Sequence, residues 1–352
     1  MTRFELLEIL PDVALSQARL YRRSAGSSSR ETAVTLLADY SLRTRAWLPS
    51  AAVVALLEES AVSTANARTT LSRLARRDVL ESSRAGRRTS YRLTEPAAAV
   101  LAIGGMGVVS YPAEAERWDG SWTVIAFSVP TEGETQRRAL RGRLRWQGYA
   151  PLYDGLWVSP EDSPARTALS LTGLDLGAVT VFRARQVELE TVTSRPPLDA
   201  WDLPNVAREF ESFIRHWSPL LPRIRSGDVG GAEAVRARTQ VMDVYRRFVV
   251  LDPRLPLRMM PSDWPRARAR EVFTEIYDGL AAPAERHVRD VVARLGDGTS
   301  SGIGAHTIAD LVSGVRRISF PGGPPPRPCQ AEPATGDDAG RPPPGADPSP
   351  RR

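Results

Sequence analysis

The chain has 352 residues, 42% of them hydrophobic and 25% charged, which is typical of globular proteins and excludes a wholly disordered or collagen-like chain. No run approaches the roughly 20 apolar residues that span a bilayer, and Glu5 and Glu8 lie where a secretory signal would be basic. Cys329 is the single cysteine, so neither an internal disulfide nor a cysteine-based metal site is expected. We therefore expect a cytoplasmic protein without membrane contacts.

Positive charge is concentrated in one short stretch. All 47 basic residues are arginine, and the formal net charge is +6. Between residues 63 and 93 the chain carries eight arginines against Asp78 and Glu81, so this stretch alone holds a surplus of +6. Such a concentration of arginine indicates a phosphate-binding surface.

The first predicted elements are two short helices. Apolar residues recur at helical spacing over residues 32–40, after a polar run that ends near Ser29. A second helix is predicted to follow Ser50, which can act as its cap. Both helices have an apolar side that can face a common core.

A third helix is predicted over residues 63–77, with Ser63 as its cap. Ala67, Leu71 and Leu74 recur at spacings of four and three, so they form one apolar face. The opposite face and its flanks carry side chains that can contact bases and phosphates in a major groove. The predicted DNA contacts on this helix are Asn66, Arg68, Thr69, Thr70, Arg73, Arg76 and Arg77.

A basic hairpin is predicted after the third helix. Strand-like runs at residues 79–83 and 89–93 flank Gly86, and glycine suits the positive φ of a tight turn. Three helices followed by such a hairpin match a winged helix-turn-helix unit, whose third helix enters the major groove. Arg87, Arg88 and Tyr91 complete the predicted contacts with double-stranded operator DNA.

The middle of the chain alternates strand and helix patterns. Strands are predicted at residues 122–129, 152–158 and 178–183, with helices at 134–147 and from Ser163 onward. This order suits a ferredoxin-like domain. From Asp199 to Gly296 the pattern is helical, with aromatic residues such as Phe210 and Phe213 at helical spacing. Aromatic residues at such spacing usually lie in the protein core, but they could also line a ligand pocket or a dimer interface.

Composition shifts complete a predicted α+β multidomain fold. Gly104, Gly105 and Gly107 predict a hinge, and the 32 residues from Pro321 onward contain 11 prolines and 5 glycines, which cannot build a core. The predicted organisation is a flexible tail at 1–29, a winged helix-turn-helix domain at 30–103, a hinge at 104–116, a ferredoxin-like central domain at 117–195, a helical C-terminal domain at 196–296 and a disordered tail at 297–352.

No catalytic residue, metal site or cofactor is predicted. His216, His287 and His306 have no metal-binding spacing, and the first two are expected to be surface or packing residues. No glycine-rich phosphate loop occurs, since the glycines at 104–107 follow no clear strand. The chain is therefore not expected to be an enzyme.

Several segments resemble the PaaX family of repressors of phenylacetate-degradation operons and their relatives. They lie in the same order along the chain, at residues 67–74, 86–94, 122–130, 155–160, 252–256, 263–265 and 283–287. The resemblance implies a repressor that an aryl-CoA thioester such as phenylacetyl-CoA releases from DNA. Asp78 departs from the family pattern, which has a glycine there, and this change puts the helix ending and the wing position in doubt.

The effector residues stay unassigned, because nothing in the spacing separates candidates such as Arg223, Arg225 and Arg246 from ordinary surface arginines. A helix-turn-helix regulator usually reads inverted half-sites as a dimer, so a homodimer is expected. The runner-up function rests on the resemblance of the family's middle domain to a small metal-dependent nuclease. Its chemistry is unfavourable here, since the strand ends Phe127-Ser128 without a carboxylate. A third possibility is a regulator that reads promoter DNA without a ligand.

Overall fold

The computed structural model of the chain describes residues 28–114, 118–128, 134–160, 178–187, 195–296 and 300–314. Apart from its last two residues, the predicted N-terminal tail at 1–29 lies outside this part. Helix α1 (Ser29–Ser41) begins where Ser28 Oγ accepts a hydrogen bond from the Glu31 amide.

Three helices and a small sheet form the N-terminal part. After α1 come β1 (Leu48–Pro49), α2 (Ser50–Glu59), α3 (Thr64–Arg76), β2 (Leu80–Ala85) and β3 (Arg88–Leu93). The strands are antiparallel in the order β1-β3-β2. The predicted cap Ser50 is already the first residue of α2, and the preceding Pro49 makes no capping bond through its side chain.

A single helix, α4 (Glu95–Glu114), runs through the residues predicted as a hinge, so that prediction is wrong for residues 104–114. Glycine inside a helix costs about 1 kcal/mol relative to alanine, which is why three glycines suggested a break. Packing outweighs that cost. A Cβ on Gly105 would lie 3.0 Å from Leu311 Cδ2, so glycine allows a close approach at this point. Residues 115–116 lie outside the described part.

The middle part is an antiparallel sheet with one described helix. It contains β4 (Trp122–Ser128), α5 (Glu134–Trp146), β5 (Ala150–Tyr153), β6 (Leu156–Ser159) and β7 (Ala178–Ala184). The strand order is β5-β6-β4-β7, and every neighbouring pair is antiparallel. Ile125, Leu140, Leu144 and Trp157 form a small core of their own.

One predicted strand of the middle part is in fact two. The predicted strand at residues 152–158 is split by a turn at Asp154 and Gly155, and Gly155 has a φ of +76°. The sequence pattern hid this break because apolar residues continue on both sides of the turn. The helix predicted from Ser163 lies outside the described residues.

The C-terminal part is helical, as predicted. It contains α6 (Leu203–Trp217), α7 (Leu221–Arg225), α8 (Gly231–Tyr245), α9 (Phe248–Leu251), α10 (Arg266–Gly279) and α11 (Ala281–Leu295). Phe210 stacks on Phe248 with ring centroids 4.0 Å apart, and Phe213 lies 5.7 Å from Tyr245. All four rings are buried. These aromatic residues therefore lie in the core of the C-terminal part.

The prediction of a disordered tail at 297–352 is wrong for residues 300–314, which are folded. They include α12 (Ile308–Val312), which begins with reciprocal side-chain to backbone bonds between Thr307 and Asp310. Ile303, His306 and Leu311 are buried. The folded C-terminal part thus continues past the predicted boundary at Gly296, while residues 315–352 lie outside the described part.

One hydrophobic cluster joins the N-terminal and C-terminal parts. It includes Leu37, Leu57 and Leu71 together with Val241 and Phe273. Among the described residues, no helix is both long and apolar enough to cross a membrane.

Candidate nucleic-acid interface

Helix α3 has a buried face and an exposed face, as its sequence predicts. Ser63 Oγ accepts a hydrogen bond from the Asn66 amide at 3.4 Å and caps the helix. Ala67, Leu71 and Leu74 are fully buried, and α3 packs on α1 and α2. This packing fixes which side of the helix faces outward.

Most of the predicted DNA contacts lie on the exposed face. They are Asn66, Arg68, Thr69, Arg73, Arg76 and Arg77. Within the part of the chain that the structure describes, the side chains of these four arginines make no hydrogen bond, ion pair or ring contact. No described residue neutralises their charges, so within this part of the chain they are available to phosphates and base edges.

Two predicted contacts, Thr70 and Tyr91, pack against the protein instead of lying on the exposed face. Thr70 is 7% exposed, and its Oγ1 lies 3.0 Å from Ser29 Oγ on α1. It lies three residues after Ala67 and so shares the buried side of α3. Tyr91 is half-buried, lies opposite Leu48 in the sheet and packs against the core.

The hairpin of β2 and β3 carries the remaining predicted contacts at its tip. Its register runs from Leu80 opposite Leu93 to Ala85 opposite Arg88, which leaves Gly86 and Arg87 as the turn. Gly86 has a φ of +60°, as the prediction of a tight turn requires. Arg87 and Arg88 are both exposed, but Arg88 also donates a hydrogen bond to the Gly296 carbonyl at 3.1 Å.

Arg92 contributes to the charge surplus of this stretch but has a structural role. Its Nη2 lies 2.8 Å from Glu81 Oε2, and its guanidinium lies 4.4 Å from the centroid of the Trp47 ring. Arg45 binds the other oxygen of the same carboxylate. The unneutralised charge therefore lies on α3 and at the hairpin tip, and not along the whole hairpin.

Asp78 occupies a left-handed backbone position, which explains why the family pattern has glycine there. Its φ is +57°, a value that glycine adopts most readily and aspartate tolerates better than most residues. The Val79 amide still bonds the Leu74 carbonyl at 3.0 Å, and Thr94 Oγ1 donates to the Asp78 carbonyl at 2.7 Å. The helix ending and the start of the hairpin are therefore preserved.

A buried polar seam between α1 and α8 was not predicted. We use this name for Glu31, Thr35, Asp39, Asp243 and Arg246, all of which are buried. Thr35 Oγ1 donates to Asp243 Oδ1 at 2.6 Å and lies 2.8 Å from Arg246 Nη1. Arg246 Nη2 lies 3.5 Å from Glu31 Oε2. The sequence carries one sign of this seam, since its three α1 residues recur every four positions and so share a helix side.

Asp39 continues the seam toward α10 and residues 300–314. Its Oδ1 accepts a hydrogen bond from the Tyr277 hydroxyl at 2.7 Å, and its main-chain carbonyl lies 2.9 Å from His306 Nδ1. Burial raises the pKa of Asp39 to about 6, against the opposing effect of the Arg238 charge. Because α1 also packs on α3, the seam ties the interface helix to the C-terminal part.

The remaining candidate residues are engaged in structural contacts. Arg223 and Arg225 pair with Glu233 and Glu275 at 2.7 and 2.5 Å, and Arg246 belongs to the polar seam. Among the described residues, no group of three or more histidine, cysteine, aspartate or glutamate side chains is placed to hold a metal ion.

Comparison with known proteins gives consistent matches along the chain. Residues 28–97 match the family model of PaaX-like proteins, residues 115–195 the PaaX central Cas2-like domain, and residues 201–290 the PaaX-like C-terminal domain. The transcriptional repressor PaaX of Escherichia coli (strain K12) is 30% identical over 249 residues, covering 68% of this chain and 75% of that protein. A solved structure, the uncharacterized protein Rv0674 from Mycobacterium tuberculosis, is 18% identical with a TM-score of 0.48, covering 75% of this chain and 98% of that one.

The family-model matches and the likeness to the Escherichia coli repressor define the chain as a transcriptional regulator. It belongs to the PaaX family.

Proposed function

We propose that the protein is a DNA-binding repressor whose residues 30–103 form a winged helix-turn-helix domain. The order of three helices and a basic hairpin supports this assignment, as does the small sheet in which β1 pairs with β3. The middle part is proposed to be ferredoxin-like. The four strands of its sheet follow one another along the chain as β4, β5, β6 and β7. In the sheet β4 lies between β6 and β7, which is the strand order of a ferredoxin-like fold.

The observation that carries the proposal is the unneutralised basic face of α3. With Ala67, Leu71 and Leu74 against the core, α3 presents its polar side to a major groove. Asn66 and Thr69 near its N-terminal end would contact base edges, because recognition helices read bases mainly through their first turns. Arg73, Arg76 and Arg77 would contact bases or phosphates, and Arg87 at the hairpin tip would contact phosphate.

The regulatory part of the proposal rests on the family resemblance. An aryl-CoA thioester such as phenylacetyl-CoA would bind more tightly to a DNA-incompetent arrangement and so shift the population away from DNA. The target would be an aromatic-acid operon of the phenylacetate type. A homodimer would place two α3 helices on half-sites about one helical turn apart, or a multiple of it.

The test is DNA selected from a random pool by the full chain, followed by fluorescence anisotropy with the selected site. Arg73→Ala is expected to weaken specific binding by about 1–3 kcal/mol, or roughly 5- to 150-fold. Arg268→Ala, which removes an exposed arginine of α10, is the matched control and should leave the affinity unchanged. Failure to select any sequence, or equal affinities for both variants with unchanged thermal stability, would refute the proposal.

A further inference from the structure

The middle part carries a second dense group of arginines, on α5. This helix contains five arginines and one glutamate over 13 residues, whereas α3 contains three arginines over the same length. Leu140 and Leu144 are fully buried in the small core of the middle part, so they define the inner side of α5. Arg138, Arg141 and Arg145 follow one another at spacings of three and four and therefore share another side of the helix. We call these three residues the arginine row.

The arginine row has few acidic neighbours among the described residues. Arg138 is exposed, and its side chain makes no hydrogen bond, ion pair or ring contact with them. Arg141 has one described carboxylate within 4 Å, that of the fully exposed Asp154 at 3.8 Å. The guanidinium of Arg145 lies 5.4 Å from the centroid of the Trp157 ring, and no described carboxylate pairs with it. The Nε atoms of Arg141 and Arg145 are buried without a hydrogen bond.

The described residues leave the charge of the arginine row unbalanced. Burial and the neighbouring charge of Arg141 lower the pKa of Arg145, so these two guanidiniums repel each other. Arg137 and Arg143, the remaining arginines of α5, interact with other groups of the chain and are not part of the row. An anion beside the row would relieve the repulsion and accept charge-assisted hydrogen bonds from the guanidiniums.

The spacing of the arginine row fits a repeating line of phosphates. Positions 138 and 145 are about 10 Å apart along the helix axis, at a rise of about 1.5 Å per residue. One strand of B-DNA presents a phosphate about every 3.4 Å along its axis, so about three phosphates lie within the length of the row. A single compact anion would instead require guanidiniums that converge on one point. The row therefore suits a polyanionic backbone, and arginine is well suited to bind phosphate because its planar guanidinium can donate two parallel hydrogen bonds.

We propose that the arginine row is a second DNA-binding surface, which contacts backbone phosphates of duplex DNA outside the base pairs that α3 reads. The choice of duplex DNA rests on the proposed function, because that function already brings this polyanion to the protein. Phosphate contacts carry no sequence information, so the row adds affinity for every duplex while α3 supplies the sequence preference. The DNA-binding surface then extends beyond residues 30–103 into the middle part.

The salt dependence of duplex binding by the full chain tests the arginine row. Arg138→Gln with Arg141→Gln removes two charges but keeps polar side chains, and it leaves Arg145 in place beside Trp157. The slope of log K against log salt should become less steep by about 1.8, at about 0.9 for each phosphate contact. The loss of affinity should thus be about 12-fold larger at 50 mM than at 200 mM salt. The same change is expected with the selected site and with an unrelated duplex.

A matched control removes the same net charge elsewhere. Arg215→Gln with Arg268→Gln replaces two exposed arginines of α6 and α10, each of which pairs with a glutamate on its own helix, and should leave the slope nearly unchanged. Arg138→Lys with Arg141→Lys retains the charge and should preserve most of the original slope. An unchanged slope in the glutamine variant of the row, or an equal change in the control, would overturn the proposal.

Hydroxyl-radical footprinting on the selected duplex, at saturating protein, locates the contact. The glutamine variant of the row should lose protection at a few backbone positions outside the centre of the site, while the positions protected through α3 remain protected. Arg73→Ala should weaken the central protection instead. If the glutamine variant gives the same footprint as the unaltered chain, the row does not touch DNA and the proposal is overturned.

Calorimetric titration with inorganic pyrophosphate tests whether the arginine row holds a small phosphate compound instead. Pyrophosphate binding that is lost in the glutamine variant, together with an unchanged DNA slope, would overturn the proposal in favour of such a ligand. A chain that selects no sequence, but whose affinity for an unrelated duplex depends on the row, fails the proposed function and not this inference. A chain that selects a site, but whose slope ignores the row, fails only this inference.

Discussion

Replacement of Arg246 by methionine tests whether the polar seam holds the N-terminal part against the C-terminal helices. Arg246 is 4% exposed, and its guanidinium lies 2.8 Å from Asp243 Oδ1 and 3.5 Å from Glu31 Oε2. Arg246→Met keeps most of the side-chain volume, so it removes charge without opening a large cavity. Two buried carboxylates then lose the cation that they face, and breaking a buried ion pair costs about 3–5 kcal/mol.

Urea denaturation at pH 7 should therefore show a loss of about 3–5 kcal/mol in the free energy of unfolding. The matched control is Arg268→Met, which breaks an exposed pair with Glu271 and should cost less than about 1 kcal/mol. Adding Asp243→Asn to Arg246→Met should recover much of the loss, because the carboxylate closest to Arg246 is then uncharged. A loss for Arg246→Met no larger than that of the control would refute the reasoning.

Three further predictions concern Asp39, the hairpin tip and Asp78. Because the pKa of Asp39 is raised from 3.8 to about 6 in the folded state, its stabilising effect is full below pH 3.8 and is lost as the pH rises through 6. Asp39→Asn should thus become less costly, by up to about 3 kcal/mol, between pH 4 and pH 8 in urea denaturation, and a pH-independent cost would contradict the assignment. Arg87→Ala should reduce the slope of log K for DNA binding against log salt by about 1 in anisotropy titrations. Arg88→Ala should reduce it by less, because Arg88 also bonds the Gly296 carbonyl. Unchanged slopes would mean that the hairpin does not reach phosphate. Asp78→Ala should be about 1 kcal/mol less stable than Asp78→Gly in thermal unfolding, since only glycine relaxes a φ of +57° without strain, and equal stabilities would exclude that strain.

The sequence was most informative where periodicity and capping agree. The apolar positions of α3, its cap at Ser63 and the turn at Gly86 follow from local chemistry, and the structure confirms each of them. Thr70 was misplaced because a helical wheel shows angles but not which neighbours cover them. Its contact with Ser29 depends on α1, whose packing direction is a tertiary property.

The larger errors arise from long-range packing. The glycines at 104–107 have poor helix propensity, and only the approach of Leu311 to Gly105 explains why α4 continues through them. His306 falls within the predicted disordered tail at 297–352, yet it is buried and its Nδ1 bonds the carbonyl of Asp39, 267 positions away along the chain. No local pattern reports such a contact.

The central claim is that the exposed face of α3 lies in a DNA major groove, and a tethered cleavage reagent tests it most directly. Cys329 is the only cysteine, so Cys329→Ser with Thr69→Cys gives one attachment point for an iron chelate on the exposed face of α3. We expect cleavage of both strands within the selected site, in the pattern of a reagent in the major groove. The same reagent on Arg268→Cys should cleave weakly or outside the site. Equal cleavage from both positions, or none from position 69 while the protein still binds, would contradict the account.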